Sequence, residues 1–394
     1  MLERFHSIPP VPIASFFFVM GIMGTRPLVP LYSLEIGIGP EELGILVAVF
    51  ALVPLLLASI AGSLMDRHGM GRALVLGALV GAIGLILPFF VGGRPGLYIS
   101  QLVTGTGFTI FILAAQNQSG KFATSAWARE QAVAIFSMGV ALGSLIGPFI
   151  GGFVGQYVGY DWAFLILGMP ALGSVGFVLQ LMTSDRVART SDMKQAPEPA
   201  SFGNPRKIFG YHTYMFRAIM VSSLILMGKD MFVAYFPLYA ISLGISVSWI
   251  GIIIGLHNAG GVVMRFFLLP IVKLFGKDKV VMLSIAFGGA GFLLLPLTES
   301  LAGLIVVSVA IGLGLGLGQP LSITRTIALS PPTKVGEVLG FRLACNRFTQ
   351  VVTPLAVSGI VLFTSVTGVF VLLGLALTVG STRISVPEEE ERAL

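Results

Sequence analysis

The chain has 394 residues, 55% of them hydrophobic and 11% charged, with a mean hydropathy of +0.93. A soluble protein carries about 25% charged residues, and a globule of this size still needs a polar skin. A water-soluble fold is therefore excluded, and a net charge of +6 must be read against a bilayer before it is read against nucleic acid.

A membrane-crossing helix needs about 20 apolar residues. Twelve such stretches lie near residues 12–33, 43–64, 73–92, 97–117, 131–155, 162–182, 216–241, 248–272, 280–297, 301–324, 338–362 and 365–382. No small-residue cleavage site follows the first, so it reads as a retained span. Between the sixth and seventh lies the one long polar stretch, SDRVARTSDMKQAPEPASFGNPRK, whose Pro, Ser and mixed charges read as an exposed linker. The expected architecture is all-α: a six-helix bundle over residues 1–182, a cytoplasmic linker over 183–215, then a second six-helix bundle and a cytoplasmic tail over 216–394. The run Glu388 to Glu391 in that tail reads as solvated.

The loops set the orientation, because cytoplasmic loops hold the excess of Lys and Arg. With the N-terminus inside, seventeen of the 24 basic residues fall in inside segments, six fall inside spans, and Arg94 alone lies outside. Both termini are therefore expected in the cytoplasm of a multi-pass plasma (inner) membrane protein. The positive charge is explained by topology, and nucleic acid is not expected as a partner.

The sequence repeats itself. PLYSLEIGI at 30–38 returns as PLYAISLGI at 237–245, an offset of 207. At that offset Gly44 meets Gly251, Gly69 meets Gly276, Gly105 meets Gly312 and Gly107 meets Gly314; Pro148 meets Pro354 after one deletion. With six spans per copy, both copies run in the same direction. That is the parallel repeat, with a pseudo-two-fold axis along the membrane normal and a site near the midplane between the halves.

Two motifs carry a resemblance. GSLMDRHGMGR at 62–72, between spans two and three, resembles the signature loop of the major facilitator superfamily at Gly62, Leu64, Asp66, Arg67 and Gly69; Met70 and Gly71 stand where basic residues are usual, and Arg72 carries the charge. The resemblance implies a cytoplasmic latch in which Asp66 caps a neighbouring helix and pairs with basic residues. In the second half the equivalent segment, LPIVKLFGKDK, has Lys273 in place of the aspartate, so the latch is expected in one half only. GSLIGPFIGG at 143–152 resembles the span-five signature of the twelve-span drug:proton antiporters at Gly143, Gly147, Pro148, Gly151 and Gly152, and Gly21, Pro27 and Pro30 resemble that branch's span-one pattern. Glycines at four-residue spacing let helices approach closely, and the proline bends the span. The family's fourth span usually carries an arginine four residues before the aligned glycine; here Gln101 precedes Gly105.

Charges inside a membrane are candidates for function. They are Arg26, Lys229, Asp230, Arg265, Arg325, Arg342 and Arg347. Repeat alignment places Asp230 opposite Met23, one turn below Arg26, so the two are expected to face each other as a gate and proton-coupling pair. The alternatives are a static ion pair, or Asp230 neutralised by Lys229. Arg265, Arg325 and Arg342 sit toward the cytoplasmic ends of their helices, where snorkelling to the interface is open to all three and is the favoured reading for Arg265. Gln101, Gln116, Asn117, His257, Asn258, Gln319, Asn346 and Arg347 are the polar candidates for a substrate cavity, with His257 first a helix-to-helix hydrogen bonder. GLGLGLG at 312–318 lies inside a span with no strand before it, so it reads as close packing and not as a nucleotide loop.

No metal-ligand cluster, phosphate-binding loop or paired catalytic groups stand out, so neither cofactor nor enzymatic activity is expected. The residues and the resemblance together point to a monomeric secondary active transporter working by alternating access. It is expected to be a proton-coupled exporter of a small anionic or zwitterionic metabolite. A multidrug exporter of lipophilic cations and an uptake permease stand as alternatives. From another class, a non-transporting membrane sensor or scaffold stands against all three.

Overall fold

The computed structural model describes residues 10–57, 70–119, 126–188, 205–212, 214–331 and 334–383. Helices follow one another in the order α1 (Pro10–Thr25), α2 (Leu28–Glu35), α3 (Pro40–Leu57), α4 (Met70–Phe90), α5 (Gly93–Ser119), α6 (Ala126–Tyr157) and α7 (Tyr160–Ala188). They continue with α8 (Pro205–Tyr211), α9 (Met215–Ser242), α10 (Val247–Phe266), α11 (Leu268–Phe275), α12 (Lys277–Leu294), α13 (Leu301–Gly316), α14 (Gly318–Ala328), α15 (Val335–Val361) and α16 (Val366–Arg383). Among the described residues there is no strand. In a lipid solvent every backbone donor and acceptor must be satisfied within its own segment, which a helix does.

Ten helical segments among the described residues are long and apolar enough to cross a membrane. They match ten of the twelve predicted spans. The second predicted span is α3, whose predicted C-terminal part runs beyond the described residues. The eleventh is α15, a 27-residue helix interrupted by Glu337, Arg342, Asn346, Arg347 and Gln350. Three predicted spans are split: the first at Arg26–Pro27, the eighth at Phe267 and the tenth at Leu317. Part of the predicted linker is ordered as α8. Ile208 on that helix is fully buried against Met215, Ala218, Ile219, Leu329 and Val338, because Ile208 and Phe209 form an apolar pair that composition averaged over the linker conceals.

The chain divides into two compact units, Met1–Gly37 with Val49–Pro199, and Ile38–Ala48 with Ala200–Leu394. In the first, α1 packs on α6 and α7, and α4 on α5 and α7; the core is built around Phe18, Ile22, Leu74, Leu85 and Phe111, with the rings of Phe18 and Phe111 4.1 Å apart. In the second, α10 packs on α13 and α12 on α13 and α16. Its core is an aromatic column in which Phe232 touches Phe236 and Phe292, and Phe292 touches Phe370.

The 207-residue repeat is reproduced in three dimensions, contact by contact. Gly37 and Gly244 both adopt positive φ, 78° and 76°, a conformation that disfavours any side chain. The turns they close are the same: Ile36 N–H donates to Tyr32 and Gly37 N–H to Leu34, while Leu243 N–H donates to Tyr239 and Gly244 N–H to Ile241. A Cβ on Gly105 would strike the carbonyl oxygen of Phe50, and one on Gly312 would strike that of His257. Likewise Gly107 crosses Gly81 in the first unit and Gly314 crosses Gly288 in the second. Each of these pairs is separated by 207 residues from its counterpart, so the sequence repeat preserves helix crossings and not merely composition.

Candidate functional site

The membrane-depth charges of the second unit do not stand alone. Asp230, on α9, accepts a 2.7 Å hydrogen bond at Oδ2 from Nε2 of Gln350, and Gln350 Oε1 accepts a 2.8 Å bond from a guanidinium nitrogen of Arg347. Gln350 lies three residues after Arg347 on α15, so both face α9 from the same stripe. The orientation of the amide is dictated from both ends. A carboxylate only accepts and a guanidinium only donates, so Gln350 must turn its NH₂ to Asp230 and its oxygen to Arg347. Asp230 and Arg347 are both half-buried. Gly261 on α10 leaves room for the neighbouring Lys229, whose ammonium would lie 3.8 Å from a Cβ placed there.

Eight residues away in sequence from Asp230, Ser222 begins a second polar cluster on the same helix. Arg342 donates to Ser222 Oγ and Gln319 Oε1, both at 2.8 Å, and to Ser322 Oγ at 3.2 Å. Gln319 Nε2 donates to the Ser222 carbonyl at 3.0 Å and Ser322 Oγ to the Ala218 carbonyl at 2.9 Å. Three helices, α9, α14 and α15, are joined through one guanidinium. Arg342 is 7% exposed and does not snorkel: its fork finds three acceptors in the interior and needs no interface. Arg325 does not snorkel either. It is 3% exposed and forms an ion pair with Asp278, which is 13% exposed. Arg265, by contrast, is exposed at the end of α10.

Asp278 lies at the start of α12, in the segment expected to lack a latch because Lys273 stands in for the aspartate. The structure supplies a different link there, tying the start of α12 to the end of α14. In the first half Gly62, Asp66, Arg67 and Gly69 fall outside the described residues; Arg72 is exposed on the first turn of α4.

Arg26 occupies the break between α1 and α2, with its guanidinium carbon 4.9 Å from the centroid of the Phe50 ring. Arg26 belongs to the first unit and Asp230 to the second. The glycines of span five, with Gly139 one turn before them, act as a packing zipper. A Cβ on Gly139, Gly143, Gly147 or Gly151 of α6 would meet, in turn, the backbone carbonyl of Pro12, Phe16, Met20 or Gly24 of α1. Pro148 and Gly152 are buried on the same helix. The GLGLGLG run behaves similarly: Gly312 and Gly316 admit the backbone of α10 at His257 and Gly261, Gly314 admits Gly288 of α12, and Gly318 faces Ile225.

The remaining polar candidates separate. Gln101 is buried and Gln116 and Asn117 are exposed at the far end of α5. His257, 2% exposed, hydrogen-bonds through Nδ1 to the Ser308 carbonyl at 2.9 Å and stacks on Phe232 with centroids 4.2 Å apart, the helix-to-helix role expected of it. Asn258 is half-buried. Asn346 is 7% exposed and its side-chain oxygen has no hydrogen-bond partner among the described residues; it lies one residue before Arg347. Of the candidates, the second unit thus brings together Asp230 and Arg347, through a Gln350 that the sequence reading passed over. The signal for it was its three-residue spacing from an intramembrane arginine.

Comparison with known proteins places this geometry. The family model of the Major Facilitator Superfamily matches residues 12–277 and 218–393. A search of curated proteins returns no match. Among solved structures, the chain is similar to a POT family transporter in complex with a thioalcohol-conjugated peptide, with a TM-score of 0.78 at 15% identity over 95% of this chain and 94% of that one. It is similar to a POT family transporter in complex with 5-aminolevulinic acid, with a TM-score of 0.76 at 14% identity over 97% and 96%. It is also similar to a mutant of the peptide transporter POT in complex with sulfate, with a TM-score of 0.73 at 17% identity over 97% and 96%. At these identities the solved structures establish a shared fold and the family model establishes descent: the chain belongs to the major facilitator superfamily.

Proposed function

We propose that this transporter is a proton-coupled secondary carrier that moves a small anionic or zwitterionic molecule by alternating access, in the export direction. The observation that supports it is the Asp230–Gln350–Arg347 chain. Protonating Asp230 at Oδ2 converts the acceptor of the Gln350 amide into a donor. The amide then has to present its oxygen to Asp230, which turns its NH₂ toward Arg347, and two donors face each other. Loading a proton on α9 therefore takes the Gln350 acceptor away from a guanidinium on α15. That is the linkage a carrier needs between an ion and a charged substrate, since a ligand shifts a conformational equilibrium only through contacts that differ between the two states.

The substrate class follows from charge. Lys229 and Arg347 outnumber Asp230 around this chain of hydrogen bonds, and cationic groups there favour carboxylates or sulfate-like groups. The solved relatives were crystallised with a peptide conjugate, 5-aminolevulinic acid and sulfate, all compounds with anionic or zwitterionic groups. The export direction rests on the span-five signature.

The test is uptake and efflux in proteoliposomes under an imposed pH gradient. The probes are 5-aminolevulinic acid, a dipeptide, a tricarboxylate chelator and the lipophilic cation tetraphenylphosphonium. Expected is pH-driven movement of an anionic or zwitterionic probe, uncoupled by Asp230→Asn and by Gln350→Leu. Movement of the lipophilic cation alone, or coupling that survives both substitutions, overturns the reading. Transport with the proton gradient and not against it makes the chain an uptake permease.

A further inference from the structure

Arg342 and Asn346 stand one turn apart on α15, and both keep hydrogen-bonding capacity that the fold does not use. The bonds that hold Arg342 engage Nε and Nη2 alone, and their acceptors, on Ser222, Gln319 and Ser322, are all neutral. Nη1 bonds to none of the described residues and is open to solvent. No carboxylate of the surrounding helices is spare to pair with this guanidinium. The acidic residues of α9, α14 and α15 are Asp230 and Glu337. The first is bonded to Gln350 and the second to Lys334. A cation held in the interior by neutral groups keeps its demand for a counter-charge.

Asn346 is 7% exposed, and its Oδ1 is buried with no donor among the described residues. The helix register explains why. Arg342 bonds to Ser222 and Gln350 to Asp230, each across 120 residues, so α9 and α15 run parallel and position 346 falls opposite Leu226. A leucine offers neither donor nor acceptor, and the amide between the two polar clusters is left unsatisfied at a cost to the ligand-free protein. With neither amide atom engaged, the ligand decides which one it meets. Residues four apart share a helix face, so Nη1 and the amide NH₂ can each donate to one oxygen of the same anion. A guanidinium fixed by its other nitrogens is the preorganised form of such a donor.

We infer that Arg342 Nη1 and the Asn346 amide form an oxyanion site, set between the Arg342 cluster and the Asp230–Gln350–Arg347 chain. It rests on the proposal that the cargo is anionic or zwitterionic, and its occupant is then the cargo's carboxylate. The experiment uses the full-length protein in detergent, read by calorimetric titration and thermal midpoint, with 5-aminolevulinic acid, its methyl ester and inorganic sulfate. Expected is binding of the acid and of sulfate, with the ester weaker by about tenfold or more. Asn346→Leu should keep or raise the ligand-free midpoint, because it removes no hydrogen bond, and should weaken the acid by about tenfold. A merely structural Asn346 would do the reverse, lowering the midpoint with affinity unchanged. Asn346→Asp should weaken the acid further, since its carboxylate occupies the place of the anion. The inference is overturned by an ester that binds as tightly as the acid, or by an Asn346→Leu protein of wild-type affinity. A midpoint raised by phosphatidylglycerol and by neither soluble anion also overturns it, and makes the site one for lipid. Transport in proteoliposomes that is indifferent to Asn346→Leu removes the site and leaves the carrier standing; oxyanion binding lost in Asn346→Leu, with no probe transported, keeps the site and removes the carrier.

Discussion

Substituting Gly147 with alanine tests whether the span-five signature is a packing device. An added Cβ would run into the Met20 carbonyl oxygen and lie 2.8 Å from the Gly24 nitrogen, and a Cβ on Gly143, one turn earlier, would likewise lie 2.7 Å from the Phe16 oxygen. Both obstacles are backbone, so no rotamer change relieves them and α1 must separate from α6. Overpacking of this kind costs about 1–3 kcal/mol, against an intrinsic helix preference of alanine over glycine of about 0.8–1 kcal/mol in the opposite direction. Gly173 and Gly176 on α7 provide the control, because nothing lies within 4 Å of a Cβ at either; there only the favourable propensity operates. For a unit of this size about 1 kcal/mol moves the thermal midpoint by roughly 2–4 °C. The two terms leave a net cost of up to about 2 kcal/mol, so the detergent-solubilised Gly147→Ala protein should melt below the Gly173→Ala protein by at least a few degrees, with Gly173→Ala at or slightly above wild type. A Gly147→Ala midpoint equal to that of Gly173→Ala would refute the packing account.

Asp278→Asn leaves Arg325 buried beside a neutral partner and should cost about 3–5 kcal/mol in chemical denaturation, whereas the apolar pair Arg325→Met with Asp278→Leu should recover most of it. Arg342→Lys keeps the charge but cannot span Ser222, Gln319 and Ser322 from a single ammonium; losing part of that fork should lower stability by about 1–3 kcal/mol in the same assay. His257→Phe retains the stack on Phe232 and loses the bond to the Ser308 carbonyl, for about 0.5–1.5 kcal/mol. Its transport should keep the wild-type pH profile, and an altered profile would make His257 a proton carrier.

The sequence determined the parts of this protein that depend on solvent and on period. Twenty-residue apolar runs in a lipid solvent must be helices, and a 207-residue register of Gly37 with Gly244 and Gly107 with Gly314 implies two copies of one bundle. The same glycine pattern announced close crossings, as at Gly312 and His257, because the absence of a Cβ is itself the physical instruction. Two of the helix breaks follow from prolines: Pro27 stands at the interruption after Arg26, and Pro320, in the first turn of α14, has no N–H to give the Gly316 carbonyl, which ends α13 beside Leu317. The fate of the intramembrane charges was decided only by tertiary structure. Arg325 and Arg342 lie near helix ends and read alike as side chains able to snorkel, yet one is neutralised by Asp278 and the other has its Nε and Nη2 donors satisfied by hydroxyl and amide oxygens from α9 and α14. Whether a buried cation is affordable depends on acceptors brought from 20 to 120 residues away. For the same reason Gln350, an unremarkable polar residue in the sequence, becomes the link between Asp230 and Arg347 only once α9 and α15 are packed together.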